Sequence, residues 1–183
     1  QELERCVKDL GLAGVQIGSH VNGRNFDHAD LFPLFQAAER LGAAVFVHPW
    51  DMLARERMTQ YWLPWLVGMP AETALAICSV VFSGLLDRLP RLRLAFAHGG
   101  GAFPALIGRI AHGHAARPDL CAVDNAVSPR DYLTRTYRHL IYDNVEEDAP
   151  RAHDILREWL AHFDSALLIY DEGGGFRQFL GAD

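Results

Sequence analysis

Cysteine is scarce in this chain: there are three in 183 residues, Cys6, Cys78 and Cys121, widely spaced and in no C-x-x-C arrangement. That excludes a disulfide framework and a thiolate zinc site, and it fits a reducing, cytoplasmic setting. Positive charge is in deficit too, with 17 Lys and Arg against 23 Asp and Glu and a formal net charge of -6. An anionic surface attracts neither nucleic acid nor acidic membranes, so small molecules are the expected partners. Long uncharged runs are missing. One of the longest, residues 73–86, falls short of the ~20 residues a membrane-spanning helix needs and reads as a buried helix. No stretch matches G-x-x-x-x-G-K-[ST], no G-x-G-x-x-G follows a strand, and the chain has no nucleophile elbow G-x-S-x-G. Nucleotide binding and serine-esterase chemistry therefore lack their usual carriers. The amino terminus, Gln1-Glu-Leu-Glu-Arg5, has neither an initiating methionine nor the order of a signal peptide, and reads as the interior of a longer gene product.

What the chain does have is apolar residues, half of the total, enough for the core of a single domain over residues 1–183. In residues 92–104 a short apolar run ends in His98, three glycines follow at once, and a helical pattern takes over. This reads as a buried strand that delivers an imidazole to a crowded βα turn. Residues 44–51 repeat the plan, with His48 at the carboxyl end of another buried strand. Two strands each ending in histidine point to a metal or acid/base site at the C-terminal rim of a parallel sheet.

His48 by itself would be an ordinary structural histidine. What raises it is His98 in the corresponding place on the next strand, Asp171 at the end of the last strand, and Arg109 and Arg117 beyond His98. Two imidazoles and a carboxylate are ligand types that zinc takes, and an arginine can hold a substrate carboxylate in a fork. His112 and His114 look like a chelating pair. At a helix end, however, positions i and i+2 lie roughly 200° apart, so both read as surface residues. His20, His28, His153 and His162 read as solvated, and His139 is left open. Residues 49–68, rich in Trp and Met, read equally well as an excursion over a site or as a flap that only covers core.

Five apolar strands are expected, at residues 14–18, 44–48, 92–97, 137–142 and 166–170, separated by helices. The helices fall at about 3–10, 30–41, 70–86, 103–112 and 148–161, with a further helix start at Ser128-Pro-Arg-Asp131. This alternation gives an α/β fold with a parallel sheet. Strand count favours an open doubly wound sheet, whereas histidines converging from different strands favour part of a (β/α)₈ barrel.

Several of these stretches also carry a family resemblance. Gly14-Val-Gln-Ile-Gly-Ser-His-Val-Asn22, Val45-Phe-Val-His-Pro-Trp-Asp-Met52, Tyr61-Trp-Leu-Pro-Trp-Leu-Val-Gly-Met-Pro-Ala-Glu72, Ala95-Phe-Ala-His-Gly-Gly-Gly-Ala-Phe-Pro104 and Arg117-Pro-Asp-Leu-Cys121 together resemble the aminocarboxymuconate-semialdehyde decarboxylases of the metal-dependent amidohydrolase superfamily. The resemblance runs from about Glu4 to Asn125 and fades beyond Ser128. It implies a zinc-bearing (β/α)₈ barrel of which this chain holds strands four to eight, about five β/α units, without the first-strand H-x-H pair that supplies two further ligands. It also implies that His48 and, by position, Asp171 bind Zn2+, and that His98 is the acid/base that takes a proton from water at the metal. Trp65 and Met52 would line the substrate pocket. Arg117 would reach into a neighbouring subunit to grip a substrate carboxylate, making the protein a homodimer. The activity implied is decarboxylation of a small carboxylate substrate in tryptophan catabolism.

Overall fold

A computed structural model describes residues 1–122, 139–142, 154, 157–158 and 160–169. Three short strands, β1 (Gly14–Ile17), β2 (Ala44–Val47) and β3 (Arg93–Phe96), form a parallel sheet in the order β1-β2-β3. Two more, β4 (His139–Tyr142) and β5 (Ser165–Leu168), pair in parallel as well. All five expected strands are therefore found, each within two residues of its expected limits, and every ladder is parallel. The fold is α/β.

Among the described residues the helices with defined limits are α1 (Glu2–Lys8), α2 (Phe32–Leu41), α3 (Met69–Phe82), α4 (Leu85–Arg88) and α5 (Phe103–Ala116); the helix start expected at Ser128 lies outside the described residues, as does most of the helix expected at about 148–161. Val45 and Val47 of β2 are fully buried and meet Phe35 and Ala38 of α2, Ala76 and Val80 of α3, and Leu85 and Leu86 of α4 in one core. A second, smaller core joins Ala74, Ile77 and Val81 of α3 to Phe103 of α5. Helix α3 thus buries residues on two neighbouring faces, which is why its apolar surface is wider than a single stripe. With the π turn Pro64–Gly68 that leads into it, it makes a 19-residue helical stretch of mean hydropathy 1.6, long and apolar enough to cross a membrane by length and composition. Its packing between the sheet and α5 is that of a core helix.

The single helix expected over residues 70–86 is two. Ser83 closes α3, and Gly84, at φ 66°, turns the chain by a left-handed step before α4 begins. A glycine takes that conformation without the steric cost of a side chain. Helix α5, conversely, runs four residues past its expected end, so His112 and His114 both lie inside it.

The glycine run after β3 is fixed by its packing. His98, Gly99, Gly100 and Gly101 all have positive φ, at 55°, 56°, 82° and 61°. A Cβ on Gly101 would lie 2.5 Å from the Pro70 carbonyl oxygen and 2.9 Å from the Thr73 Cβ, because this turn packs directly on the first turn of α3. The Ala102 amide donates to the same Pro70 carbonyl at 3.0 Å. Gly101→Ala is therefore expected to lower unfolding free energy by about 3 kcal/mol, through steric overlap with backbone and a φ that only glycine adopts readily. A urea unfolding curve reads this directly, and a loss under about 0.5 kcal/mol would contradict the packing described.

Candidate active site

Parallel strands bring the two histidines to the same rim. The backbone amide of His48 donates to the Ile17 carbonyl at 2.9 Å, and that of Ala97 to the Val47 carbonyl at 2.9 Å, so the ladders continue one step past the strands. The register pairs Val47 with Phe96, which sets Ala97, not His98, opposite His48. The two histidines are thus offset by one residue. In a continued strand the His98 side chain would fall on the Val47 face, opposite to that of His48. The positive φ of His98 breaks the alternation and swings its ring across. A left-handed backbone is uncommon for a residue with a Cβ, and strain of this kind concentrates at functional positions.

The outcome is a close imidazole pair. The Nε2 atoms of His48 and His98 lie 3.2 Å apart, with ring centroids 4.9 Å apart and ring planes at 67°. Both rings are half-buried. Nδ1 of His48 lies 3.1 Å from the Pro49 carbonyl oxygen, which can only accept, so Nδ1 carries the proton and Nε2 of neutral His48 presents a lone pair. Two nitrogens facing each other at this distance need a proton or a cation between them. An imidazole anchored through Nδ1–H to a carbonyl, with Nε2 free to donate a lone pair, is the arrangement metal-binding histidines adopt. The donors present therefore fit a divalent cation such as zinc. Among the described residues no group of three or more His, Cys, Asp or Glu side chains gathers here, so the described part of the chain supplies a partial ligand set. Asp171 lies outside the described residues.

Buried polar groups that sequence reasoning did not single out support this rim. Glu72, in the first turn of α3, is 3% exposed and accepts a hydrogen bond from the equally buried Ser19 hydroxyl at 3.1 Å. This pair ties the loop after β1 to α3. The signal was available as one acid in an otherwise apolar helix, but periodicity gives no hint that it faces inward. His20, expected to be solvated, bridges two rim loops: the Gly23 amide donates to its Nδ1 at 3.2 Å, and its Nε2–H donates to the Asp51 carbonyl at 3.3 Å. His114 is half-buried rather than a surface residue, with its ring stacked on Phe82 at 5.9 Å and its Nε2 enclosed. The helix directs His112 outward, so the two do not act as a chelating pair.

Of the remaining expected residues, Met52 and Trp65 lie in the segment between β2 and α3, whereas Arg109 and Arg117 lie on and after α5. Met52 packs on the π turn, where its Cβ lies 3.0 Å from the position a Cβ on Gly68 would take. Trp65, in that turn, is half-buried and stacks on Trp62 with centroids 4.5 Å apart. Arg117 follows α5, is exposed, and forms a two-point ion pair with Asp119 at 2.7 and 2.9 Å. That pairing holds the Asp119 carboxyl below its ordinary range and raises Arg117 further. Arg109 is exposed on α5. Burial pushes the Cys78 thiol up, and burial together with the Asp119 charge does the same for Cys121, so neither is set up as a nucleophilic thiolate.

Comparison with known proteins shows the family. The family model described as amidohydrolase matches residues 1–170. The chain is 65% identical over 133 residues to 2-amino-3-carboxymuconate-6-semialdehyde decarboxylase of Dictyostelium discoideum, a match covering 73% of this chain and 37% of that protein. Among solved structures, 5-carboxyvanillate decarboxylase of Sphingomonas paucimobilis is 26% identical with a TM-score of 0.74, over 93% of this chain and 51% of that one. The 5-carboxyvanillate decarboxylase of Novosphingobium aromaticivorans, solved with manganese and 4-hydroxy-3-methoxy-5-nitrobenzoic acid, shares the fold at 20% identity and a TM-score of 0.74, over 93% of this chain and 49% of that one. The chain thus spans about a third to a half of the length of these relatives. With the amidohydrolase model matching residues 1–170 and a parallel α/β fold shared with solved relatives, the chain belongs to the amidohydrolase family.

Proposed function

We propose that this chain carries part of the active site of a metal-dependent decarboxylase that converts 2-amino-3-carboxymuconate 6-semialdehyde to 2-aminomuconate semialdehyde, without oxidation, in tryptophan catabolism. One observation carries the reading: the 3.2 Å approach of the His48 and His98 Nε2 atoms at the rim of a parallel sheet. The likeness to a decarboxylase of that substrate over 73% of the chain supports the choice of substrate.

His48, through Nε2, would hold a divalent cation together with Asp171 and further ligands of the family barrel, of which this segment would be strands four to eight. Zinc suits the imidazole and carboxylate donors, and manganese in a relative of the same fold marks the alternative. When bound, such a cation supplies Lewis acidity that brings the pKa of a water toward ~7. His98 would take a proton from water at Nε2 while the hydroxide left adds to the conjugated substrate; as the bond to the carboxylate breaks and carbon dioxide leaves, His98 would return the proton to that carbon and the hydroxide would depart, reprotonated by solvent. The offset register and positive φ of His98 serve this role by aiming the ring at the space beside His48. Trp65 and Met52 wall the conjugated substrate. Arg117 grips a carboxylate, and in a cytoplasmic homodimer it does so across the subunit boundary, exchanging its Asp119 pairing for the ligand.

The test is carbon dioxide release by the metal-loaded full-length protein. A kcat/KM about a hundredfold higher for the muconate semialdehyde than for 2,6-dihydroxybenzoate or 5-carboxyvanillate is expected. The reverse preference would make it a decarboxylase of aromatic acids.

A further inference from the structure

The direction of one carbonyl decides which ring nitrogen of His48 carries the proton. That carbonyl belongs to Pro49 and lies 3.1 Å from His48 Nδ1. The pyrrolidine ring fixes φ of Pro49, and the residue is fully buried, so ψ is the torsion that aims the carbonyl. That torsion depends in turn on where the chain goes next. Trp50 is 85% exposed and Asp51 is exposed as well, so neither side chain pins it by burial. The Asp51 backbone, by contrast, is held: its carbonyl accepts from Nε2–H of His20 at 3.3 Å, while Nδ1 of the same ring accepts from the Gly23 amide at 3.2 Å. Both contacts require the same neutral tautomer, with the proton on Nε2. His20 itself stands on a fixed base. Its neighbour Ser19 is 1% exposed and donates to the buried Glu72 at 3.1 Å, and the Ile17 carbonyl, earlier in the same segment, accepts from the His48 amide at 2.9 Å.

We propose that His20 is a positioning residue for His48: through the Asp51 carbonyl it holds the turn of residues 48–51 so that the Pro49 carbonyl stays on His48 Nδ1 and Nε2 is kept as the lone-pair donor facing His98. This rests on the reading of His48 as a metal ligand and adds to it the group that steadies the ligand's own orienting partner. Losing a group that orients a ligating imidazole weakens metal binding by about 10- to 100-fold. His20 acts one hydrogen bond further out, so its share falls at or below the lower end of that range. Both of its ring nitrogens are engaged with backbone, so it offers neither a lone pair to the metal nor a proton to the substrate.

The experiment compares His20→Gln and His20→Asn with the wild type in the full-length protein. The amide nitrogen of glutamine reaches the place of Nε2 and keeps the donor to Asp51, whereas the amide oxygen of asparagine reaches that of Nδ1 and keeps only the acceptor for Gly23. Histidine-selective nitrogen NMR of the metal-free protein at mildly alkaline pH, with the His48 signals identified by their loss in His48→Ala, reads the tautomer directly. The wild type and His20→Gln show a protonated Nδ1 and an unprotonated Nε2 at His48, and in His20→Asn the two tautomers are mixed. Zinc affinity, measured by competition with a chelator, stays within about twofold of the wild type in His20→Gln and falls about five- to tenfold in His20→Asn. The tautomer readout needs neither metal nor substrate, so it decides this inference even where the wild type binds no zinc or does not turn over the muconate semialdehyde. That separates its failure from failure of the proposed reaction. A wild-type tautomer or an unchanged zinc affinity in His20→Asn, a His20→Gln variant as perturbed as His20→Asn, or a wild type whose His48 carries its proton on Nε2 would each overturn the proposal. Should His20→Asn fail to fold, His20→Gln decides: the wild-type tautomer sustains the proposal and a mixed one overturns it.

Discussion

Replacing His98 with asparagine is expected to lower kcat about a thousandfold while leaving metal content unchanged. Asparagine keeps a donor near His48 Nε2 but cannot accept and return a proton at neutral pH, and losing a positioned acid/base group costs about 10² to 10⁴ in rate. The geometry makes His98 the natural holder of this role. Its Nε2 lies 3.2 Å from that of His48, and its backbone is held at φ 55° by the glycine turn packed on α3. Initial rates of carbon dioxide release with metal analysis of the same preparations check the prediction. A variant within tenfold of the wild type would remove His98 from the chemistry.

His48→Ala is expected to act one step earlier, on the metal itself. Nδ1–H donation to the Pro49 carbonyl leaves Nε2 as a lone-pair donor, so removing the ring deletes a ligand together with the hydrogen bond that orients it. Loss of an orienting partner alone weakens metal binding by about 10- to 100-fold, and loss of the ligand exceeds that. Exhaustively dialysed His48→Ala should retain well under a tenth of the wild-type metal per chain and show no decarboxylation. Full metal in the variant would mean that His48 is not a ligand. With His98→Asn expected to keep its metal and His48→Ala to lose it, the two variants would separate proton transfer from metal binding.

The sequence was informative where a simple period governs the structure. The alternation of Ala44, Val45, Phe46 and Val47, with both valines fully buried, is the period-two pattern of a covered strand, and it led directly to His48 at its end. The glycines after His98 marked a crowded turn, and the 2.5 Å approach of Pro70 to Gly101 is the reason. Periodicity could not reveal the one-residue offset between His48 and His98, because register is set by how whole strands pair and the left-handed step that corrects it is local. Glu72 was missed for a related reason. An acid in the first turn of a helix reads as solvated, and the partner it has here, the Ser19 hydroxyl, is 53 residues away in sequence. His112 and His114 were read as surface residues because positions i and i+2 at a helix end lie roughly 200° apart; the helix runs on to Ala116, and the ring of His114 stacks on Phe82. The break at Gly84 was missed because α3 and α4 share one continuous apolar pattern.

The family resemblance contributed what periodicity could not, namely the chemistry that links a strand-end histidine pair to a carboxylate substrate. Arg117 shows the limit of such transfer. In this structure its guanidinium is engaged by Asp119, so gripping a substrate requires it to leave a pair that is exposed on both sides. Exposed ion pairs contribute little to stability, which keeps that exchange inexpensive.

The central claim is tested most directly by measuring carbon dioxide released per molecule of 2-amino-3-carboxymuconate 6-semialdehyde consumed, with the metal-loaded full-length protein and no added oxidant. The account predicts equimolar release with 2-aminomuconate semialdehyde as the product. Consumption of the substrate without carbon dioxide, or no consumption by a protein that holds its metal, would contradict it.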